Sequence, residues 1–552
     1  MKKKITKITL IVALALSSVF SVGYVDNYFE ISKNLDIFAT LFRELNTYYV
    51  DDSDPGKLMK TGIDAMLESL DPYTNYIPES NIEDYKLMTT GQYGGIGALI
   101  QKQGDFVIIS EPYEGFGAFK AGLRAGDKLI EIDGKSVKGK NTEEIREVLL
   151  GQPGSVVNLK IERPGTKEPF VSKVTREEVK IKDVPYFSVI QDSVGYIKLT
   201  GFTESASKEV KNALNSLLEQ KVTSLILDLR GNGGGLLSEA VNIVNFFVPK
   251  GSDVVSTKGK IKEWDKTYKA LNDPIDIKIP LVVLIDEGSA SASEIVSGTL
   301  QDYDRAVILG NQSFGKGLVQ SVRPLSYNSK LKVTVAKYYT PSGRCIQKLD
   351  YSHREKDGKV NVVADSMIRE FKTIHSKRPV FDGKGVTPDV TIEKTELSNI
   401  SAILISKNLI FEFATQYRIK TDSILPITKF KLTDTDYSNF TTFIADKDYT
   451  YTTDSEDLMA KLEKITKEEK YFDDVKTEYD QLKSKLDAHK KDDLKKFKNE
   501  ILILLESEII SRYYYQTGTI AYSIKNDPQI DSAIKTINDI ELYRSILAGI
   551  KK

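Results

Sequence analysis

The residues best placed to do chemistry lie between Leu281 and Gln320. Leu281–Ile285 is an apolar run without alternation, which predicts a parallel strand covered on both faces. Gly288-Ser289-Ala290-Ser291-Ala292-Ser293-Glu294 follows as an elbow of small residues, then a helix over Glu294–Gln301, a strand over Ala306–Gly310 and a turn carrying Lys316. A serine on a sharp turn at a helix N-terminus exposes its hydroxyl beside free backbone N–H groups. To act as a nucleophile it needs a base. The chain has three histidines, His353, His375 and His489, and none lies in this stretch. Lys316, in Ser313-Phe314-Gly315-Lys316-Gly317, is the other candidate, and the glycines beside it let the backbone approach closely. Each piece has a plainer reading. Ser291-x-x-Glu294 fits a capping box, and a lone lysine is usually solvated.

In combination the pieces carry more. Ser291-Ala-Ser-Glu294, then Phe314-Gly315-Lys316-Gly317 and Gln320, resembles the C-terminal processing (tail-specific) peptidases, serine–lysine proteases with a PDZ domain inserted before the catalytic core. In that family the serine precedes its lysine by twenty-five positions, the interval between Ser291 and Lys316, and a glutamine four residues on, here Gln320, is the third member. The resemblance runs from about Ser32 to Asp389, and the domain order is similar to the long forms of the Bacteroidetes group. It implies a crotonase-like (ClpP-like) α/β core rather than a doubly wound one. It also implies an oxyanion hole made by the N–H of Ala292 and one from the loop Arg230-Gly231-Asn232-Gly233-Gly234-Gly235, with Gly234 and Gly235 both open. A PDZ loop at Gly95, Ile96 and Gly97 would take the substrate's terminal carboxylate, and N-terminal helices would help form a homodimer.

A chain of 552 residues, 40% hydrophobic, supports several folded domains. The formal charge of −1 gives no reason to expect a nucleic-acid partner. One cysteine, Cys345, excludes an internal disulfide and any CxxC site, and is read as a buried structural thiol. No H-E-x-x-H or His/Cys cluster calls for a metal, and no cofactor is implied. Lys2, Lys3, Lys4 and Lys7 precede an apolar run, Ile8–Val22, shorter than the about 20 residues that span a bilayer. This is read as an export signal, leaving open a cleaved leader or an inner-membrane anchor, with a periplasmic destination.

The order of domains follows. Residues 1–25 are the leader or anchor. Residues 26–82 are helical, with Leu35, Phe38, Leu41, Phe42, Leu45, Tyr48 and Tyr49 as a stripe expected to pack in a core. Residues 83–178 read as the PDZ domain, with strands at Phe106–Ser110 and Leu129–Ile132, a helix N-capped by Asn141 with Glu144, and Val156–Ile161 closing the unit. Residues 179–395 are the catalytic core, with strands at Val194–Leu199 and Leu225–Leu229 and a helix over Leu236–Phe247. The glycine loop matches neither G-x-G-x-x-G nor a P-loop. Residues 396–552 form a mainly helical domain of unassigned role. In it Thr453-x-x-Glu456 caps a long amphipathic pattern from Leu458 to Leu486, with a buried helix expected beneath at Ile501–Tyr515.

The reading that emerges is peptide-bond hydrolysis, with Ser291 attacking, Lys316 taking the proton and Gln320 orienting the amine. A lysine base must lose several pKa units to burial, and Phe314 and Val319 are the expected walls. Glu294 is read as a helix cap. The substrates would be proteins with apolar C-terminal tails. Two other readings stand beside it: a PDZ scaffold whose core is silent, and an acyl-CoA enzyme sharing the glycine-rich oxyanion loop.

Overall fold

A computed structural model describes residues 28–354, 360–394 and 396–550, so the proposed leader over residues 1–25 lies outside the described residues. The chain divides into two compact units: the residues up to Tyr76 with Leu331–Val333, and the remainder. In the first unit a helix covers residues 28–48. A second, Pro55–Glu68, starts where Asp54 accepts the N–H groups of Gly56 and Lys57 and Pro55 fills the first helical position. The expected helices form, but the stripe is no core. Leu35, Phe38, Leu41, Leu45, Tyr48 and Tyr49 are all exposed, because nothing among the described residues packs over that face.

In the second unit, Ala98–Gln103, Phe106–Pro112, Lys128–Ile132, Val156–Glu162 and Phe170–Thr175 form an antiparallel sheet in that order. The helix Thr142–Leu149 lies over it and opens with Asn141 and Glu144 in a reciprocal capping box. Ile96, Val107, Ile109, Leu129, Ile145 and Leu159 fill this small core. Val156–Glu162 does not close the unit as expected, since Phe170–Thr175 pairs along it and Glu177–Lys180 pairs back to Gln92–Gly95.

The central sheet runs Tyr186–Ile190, Val194–Lys198, Ser224–Asp228, Leu281–Ile285, Val307–Gly310, Val390–Thr391, with only the first pair antiparallel. Its middle strands explain the unbroken apolar run. Side chains alternate across a strand, so Leu281, Val283 and Ile285 face a core shared with the helices Ala206–Glu219, Leu237–Asn245 and Ala292–Asp302. Val282 and Leu284 face the opposite way, onto Ile530, Ala533, Ile534 and Tyr543 of the C-terminal helices Pro528–Asn538 and Ile540–Leu547. The helical domain therefore supplies one of the two covers of the core sheet.

The rest of that domain has its own core, formed by the helices Asn399–Ser406, Leu409–Lys420, Asp434–Ile444 and Lys498–Lys525. Thr453 and Glu456 cap as expected. The long amphipathic pattern, however, is two helices, Asp454–Glu468 and Phe472–Lys491, broken near Lys470 at φ 65°. Leu458, Leu462 and Ile465 on that pair are exposed, so the helix over Lys498–Lys525 packs elsewhere and not beneath them. That long helix kinks at Tyr515, φ 51° and ψ −160°. The N–H of Gln516 beside the kink donates to Glu111 of the small antiparallel domain at 2.8 Å, and the Phe119 and Tyr515 rings meet edge to face at 5.6 Å.

Candidate active site

The strand Leu281–Ile285 delivers the chain to a turn in which Ser291 sits at φ 54°, ψ −108°. A side-chain-bearing residue held in so sparsely populated a conformation is costly, and such outliers concentrate where function requires them. Ala292 opens the helix behind it, so its N–H belongs to the first turn, where no intrahelical acceptor exists.

Two loops are laced together beneath this turn. Asp286 accepts the N–H of Gly231 at 2.8 Å and that of Gly288 at 3.0 Å. The Asn232 carbonyl accepts the Ala290 N–H at 3.0 Å and the Ser293 hydroxyl at 2.8 Å. Gly234 has φ 97°, and a Cβ there would lie 2.7 Å from the Ala290 oxygen and 2.9 Å from the Ala292 nitrogen, so only glycine fits. The Gly234 N–H is already donated to the Asn232 side chain at 2.9 Å. Gly235 sits on a bridge with Phe202, whose carbonyl takes the Leu236 N–H.

Lys316 is brought to the same place by backbone contacts. Glu294, fully buried, accepts four hydrogen bonds: Oε2 from the N–H of Ser291 at 2.8 Å and of Lys316 at 2.9 Å, Oε1 from the Ser313 hydroxyl at 2.6 Å and the Gly315 N–H at 2.7 Å. A single carboxylate thus fastens the serine turn to the lysine turn. Burial pushes its carboxyl above the usual glutamate range, against the opposing pull of these bonds. Tyr338 makes a second tie. Its buried hydroxyl lies 2.6 Å from the Lys316 carbonyl and 3.1 Å from that of Ser291, and donates to one of them at a time. Gly315 and Gly317 leave room for the segment Ile346–Lys348 against the turn, and Gln347 accepts the Gly317 N–H at 2.8 Å.

The capping reading of Glu294 therefore held only half of its role: it does take the Ser291 N–H, and it also holds the lysine turn. Tyr338 lies on the strand Lys330–Tyr339, and nothing in the sequence singled it out for this role. Gln320 donates to the Thr334 hydroxyl at 3.2 Å. Phe314, expected to wall the lysine, is 44% exposed, while Val319 packs on the central core. Cys345 is half-buried, with its thiol pushed up by burial.

Behind the glycine loop Asp228 is buried among Lys198 at 3.1 Å, Arg230 at 2.6 Å and the Tyr196 hydroxyl at 2.7 Å. Burial pushes its carboxyl up, but Arg230 and Lys198 outweigh that and hold it far below the usual range. At the far end of the serine helix, Asp302 pairs with the fully buried Arg344 at 2.9 Å. In the small domain, Ile96 is buried, its carbonyl takes the Ala118 N–H at 2.7 Å, and that of Gly97 takes the Tyr113 N–H at 2.8 Å. Ala98–Gln103, which leaves this glycine turn, is an edge strand of its sheet, with Leu99 exposed. Such an edge accepts an added peptide strand. Among the described residues no group of histidine, cysteine and acidic side chains is arranged to hold a metal.

An α/β core with a strained serine turn joined to a lysine turn, beside an edge-stranded antiparallel domain, defines a peptidase architecture. Residues 193–352 match peptidase family S41, residues 108–163 a PDZ domain, and residues 400–537 a probable PDZ-protease C-terminal helical domain. The chain is 39% identical over 320 residues to a carboxy-terminal-processing protease of Bartonella bacilliformis, covering 57% of this chain and 73% of that one. It is 34% identical over 373 residues to a probable CtpA-like serine protease of Staphylococcus aureus, covering 67% of each. Among solved structures it resembles the photosystem II D1 C-terminal processing protease at 30% identity and a TM-score of 0.35, over 64% of this chain and 92% of that one. The chain belongs to peptidase family S41, among the carboxy-terminal-processing proteases.

Proposed function

We propose that the protein is a serine-type endopeptidase that takes hold of unstructured C-terminal tails through its PDZ domain and cleaves peptide bonds at Ser291. The observation that carries this reading is the shared carboxylate of Glu294, which holds the backbones of Ser291 and Lys316 together although they are twenty-five positions apart. In the proposed reaction the Ser291 hydroxyl attacks the scissile carbonyl and passes its proton to the Lys316 amine. The ammonium then protonates the leaving amine, and water releases the acyl group by the reverse sequence. The oxyanion is received by the Ala292 N–H and a second from the glycine loop. Because the Gly234 N–H is already engaged by Asn232, Gly235 is the better candidate. Gln320 is proposed to act on the lysine amine. Gly95, Ile96 and Gly97 are proposed to receive the tail's carboxylate, and the free edge of Ala98–Gln103 its last residues.

Export to the periplasm is proposed from the basic and apolar N-terminal sequence. No helix among the described residues is long and apolar enough to cross a membrane. The test compares the chain from Asp26 onward with its Ser291→Ala and Lys316→Ala forms on an unstructured reporter ending in apolar or in charged residues. Cleavage that needs both side chains and favours the apolar tail is expected. Near-normal turnover by Lys316→Ala at neutral pH would remove the serine–lysine mechanism. Binding without cleavage would favour a silent PDZ scaffold.

A further inference from the structure

We infer that Asp527, in the C-terminal helical domain, is a positioning residue for the oxyanion loop, so that this domain forms part of the active-site scaffold. The inference rests on the proteolytic reading above. Arg230 links that domain to the oxyanion loop because it opens the loop, immediately before Gly231. Its guanidinium is gripped from two sides. Asp228, within the core, takes Nη2 at 2.6 Å and Nε at 3.0 Å. Asp527, nearly three hundred residues away in sequence, takes Nη1 at 2.6 Å, and Gln529 takes the same nitrogen at 3.2 Å. The arginine and Asp527 side chains are 16% and 20% exposed, so the pair is only weakly screened by solvent. The backbone of Arg230 is fixed as well, its carbonyl by Lys198 Nζ at 2.8 Å and its N–H by Asp228 at 3.0 Å.

From Arg230 the restraint passes along the loop. Gly231 is tied to Asp286 at 2.8 Å, Asn232 to the serine turn through the Ala290 N–H at 3.0 Å, and Gly234 lies against Ser291 itself. Asp527 is also rigidly seated. Its Oδ1 caps the helix Pro528–Asn538 by accepting the N–H groups of Gln529 at 2.9 Å and Ile530 at 3.3 Å, while Oδ2 holds Arg230. That helix is clamped to the central sheet by Ile530, Ala533 and Ile534. One carboxylate thus performs two separable jobs. An asparagine keeps the cap, since Asn and Asp cap equally well, but gives up the ion pair.

The test measures kcat and KM of the full chain and its Asp527→Asn form on the apolar-tailed reporter, with thermal midpoints for both. Asp527→Asn is expected to lower kcat about tenfold with KM within about twofold and an unchanged midpoint. That is less than the 10²–10³ carried by an oxyanion donor itself, because the loop is displaced and not deleted. Asp527→Ala, which loses the cap too, should lower both kcat and the midpoint. Unchanged kcat in Asp527→Asn, a change confined to KM, or a loss of rate matched by a fall in midpoint would each overturn the inference. If the wild-type chain cleaves no tail, the proteolytic reading has failed separately. Amide hydrogen exchange at Gly231–Gly235 then decides: faster exchange in Asp527→Asn upholds the positioning role, and unchanged exchange ends it.

Discussion

Replacing Glu294 by glutamine changes one heavy atom of the side chain and tests the joint between the two turns of the proposed site. The carboxylate accepts four donors, two on each oxygen. A glutamine carbonyl can serve only one of those pairs; the amide nitrogen is itself a donor and faces the other two. If it faces Ser291 and Lys316, whose N–H groups now sit 2.8 and 2.9 Å from Oε2, both lose their acceptor in a partly buried place. Hydrogen bonds to a charged group are worth about 1.5–3 kcal/mol each, so the loss is roughly 3–6 kcal/mol, felt as displacement of the two turns. A shift of about 1 Å between the proposed nucleophile and base costs on the order of 10² in rate. The expected result is a hundredfold or greater fall in kcat on an apolar-tailed reporter, as estimated from that shift, with PDZ binding of the tail intact. Activity close to wild type in Glu294→Gln would refute the idea that this carboxylate joins the site.

The same group bears on pH. Its carboxyl is raised by burial, so it takes up a proton at a higher pH than an ordinary glutamate. The sign matters: with the folded-state pKa above the unfolded one, protonation of this group does not itself destabilise the fold as pH falls. What fails is acceptance of all four donors, so turnover should decline on the acid side before the thermal midpoint does, read as kcat and midpoint across one pH series. Tyr338→Phe removes the donor shared by the partly buried carbonyls of Ser291 and Lys316 and should cost about 1–2 kcal/mol, roughly tenfold in kcat, by steady-state kinetics. Gly234→Ala pushes a methyl against Ala290 and Ala292 and should abolish turnover while the PDZ domain still binds tails. Arg344→Ala strands Asp302 at the far end of the serine helix and should lower stability by about 3–5 kcal/mol in denaturant unfolding.

The strand, turn and helix of the proposed catalytic segment were legible in the sequence because their signals are local. An apolar run without alternation, a string of small residues and glycines around a lysine each constrain the backbone within a few residues, and the strand, turn and helix appear where those signals stand. The PDZ helix with its Asn141–Glu144 box is legible for the same reason. Hydrophobic periodicity was less informative about destination. It marked the helix over residues 28–48 and the pair Asp454–Glu468 and Phe472–Lys491 as amphipathic, but amphipathicity says only that a face is apolar, not that something covers it. Leu35, Leu41, Leu458 and Leu462 are exposed.

What only the tertiary structure decided is which distant groups meet. A buried carboxylate at Glu294 finds donors at Ser291 and Lys316, Tyr338 reaches both turns from another strand, and Asp527 crosses from the last helices to Arg230. None of these pairs has a characteristic spacing, because each depends on how separate elements stack. Local propensity sets the turns and helices; packing of the sheet between its two covers sets the distances between them.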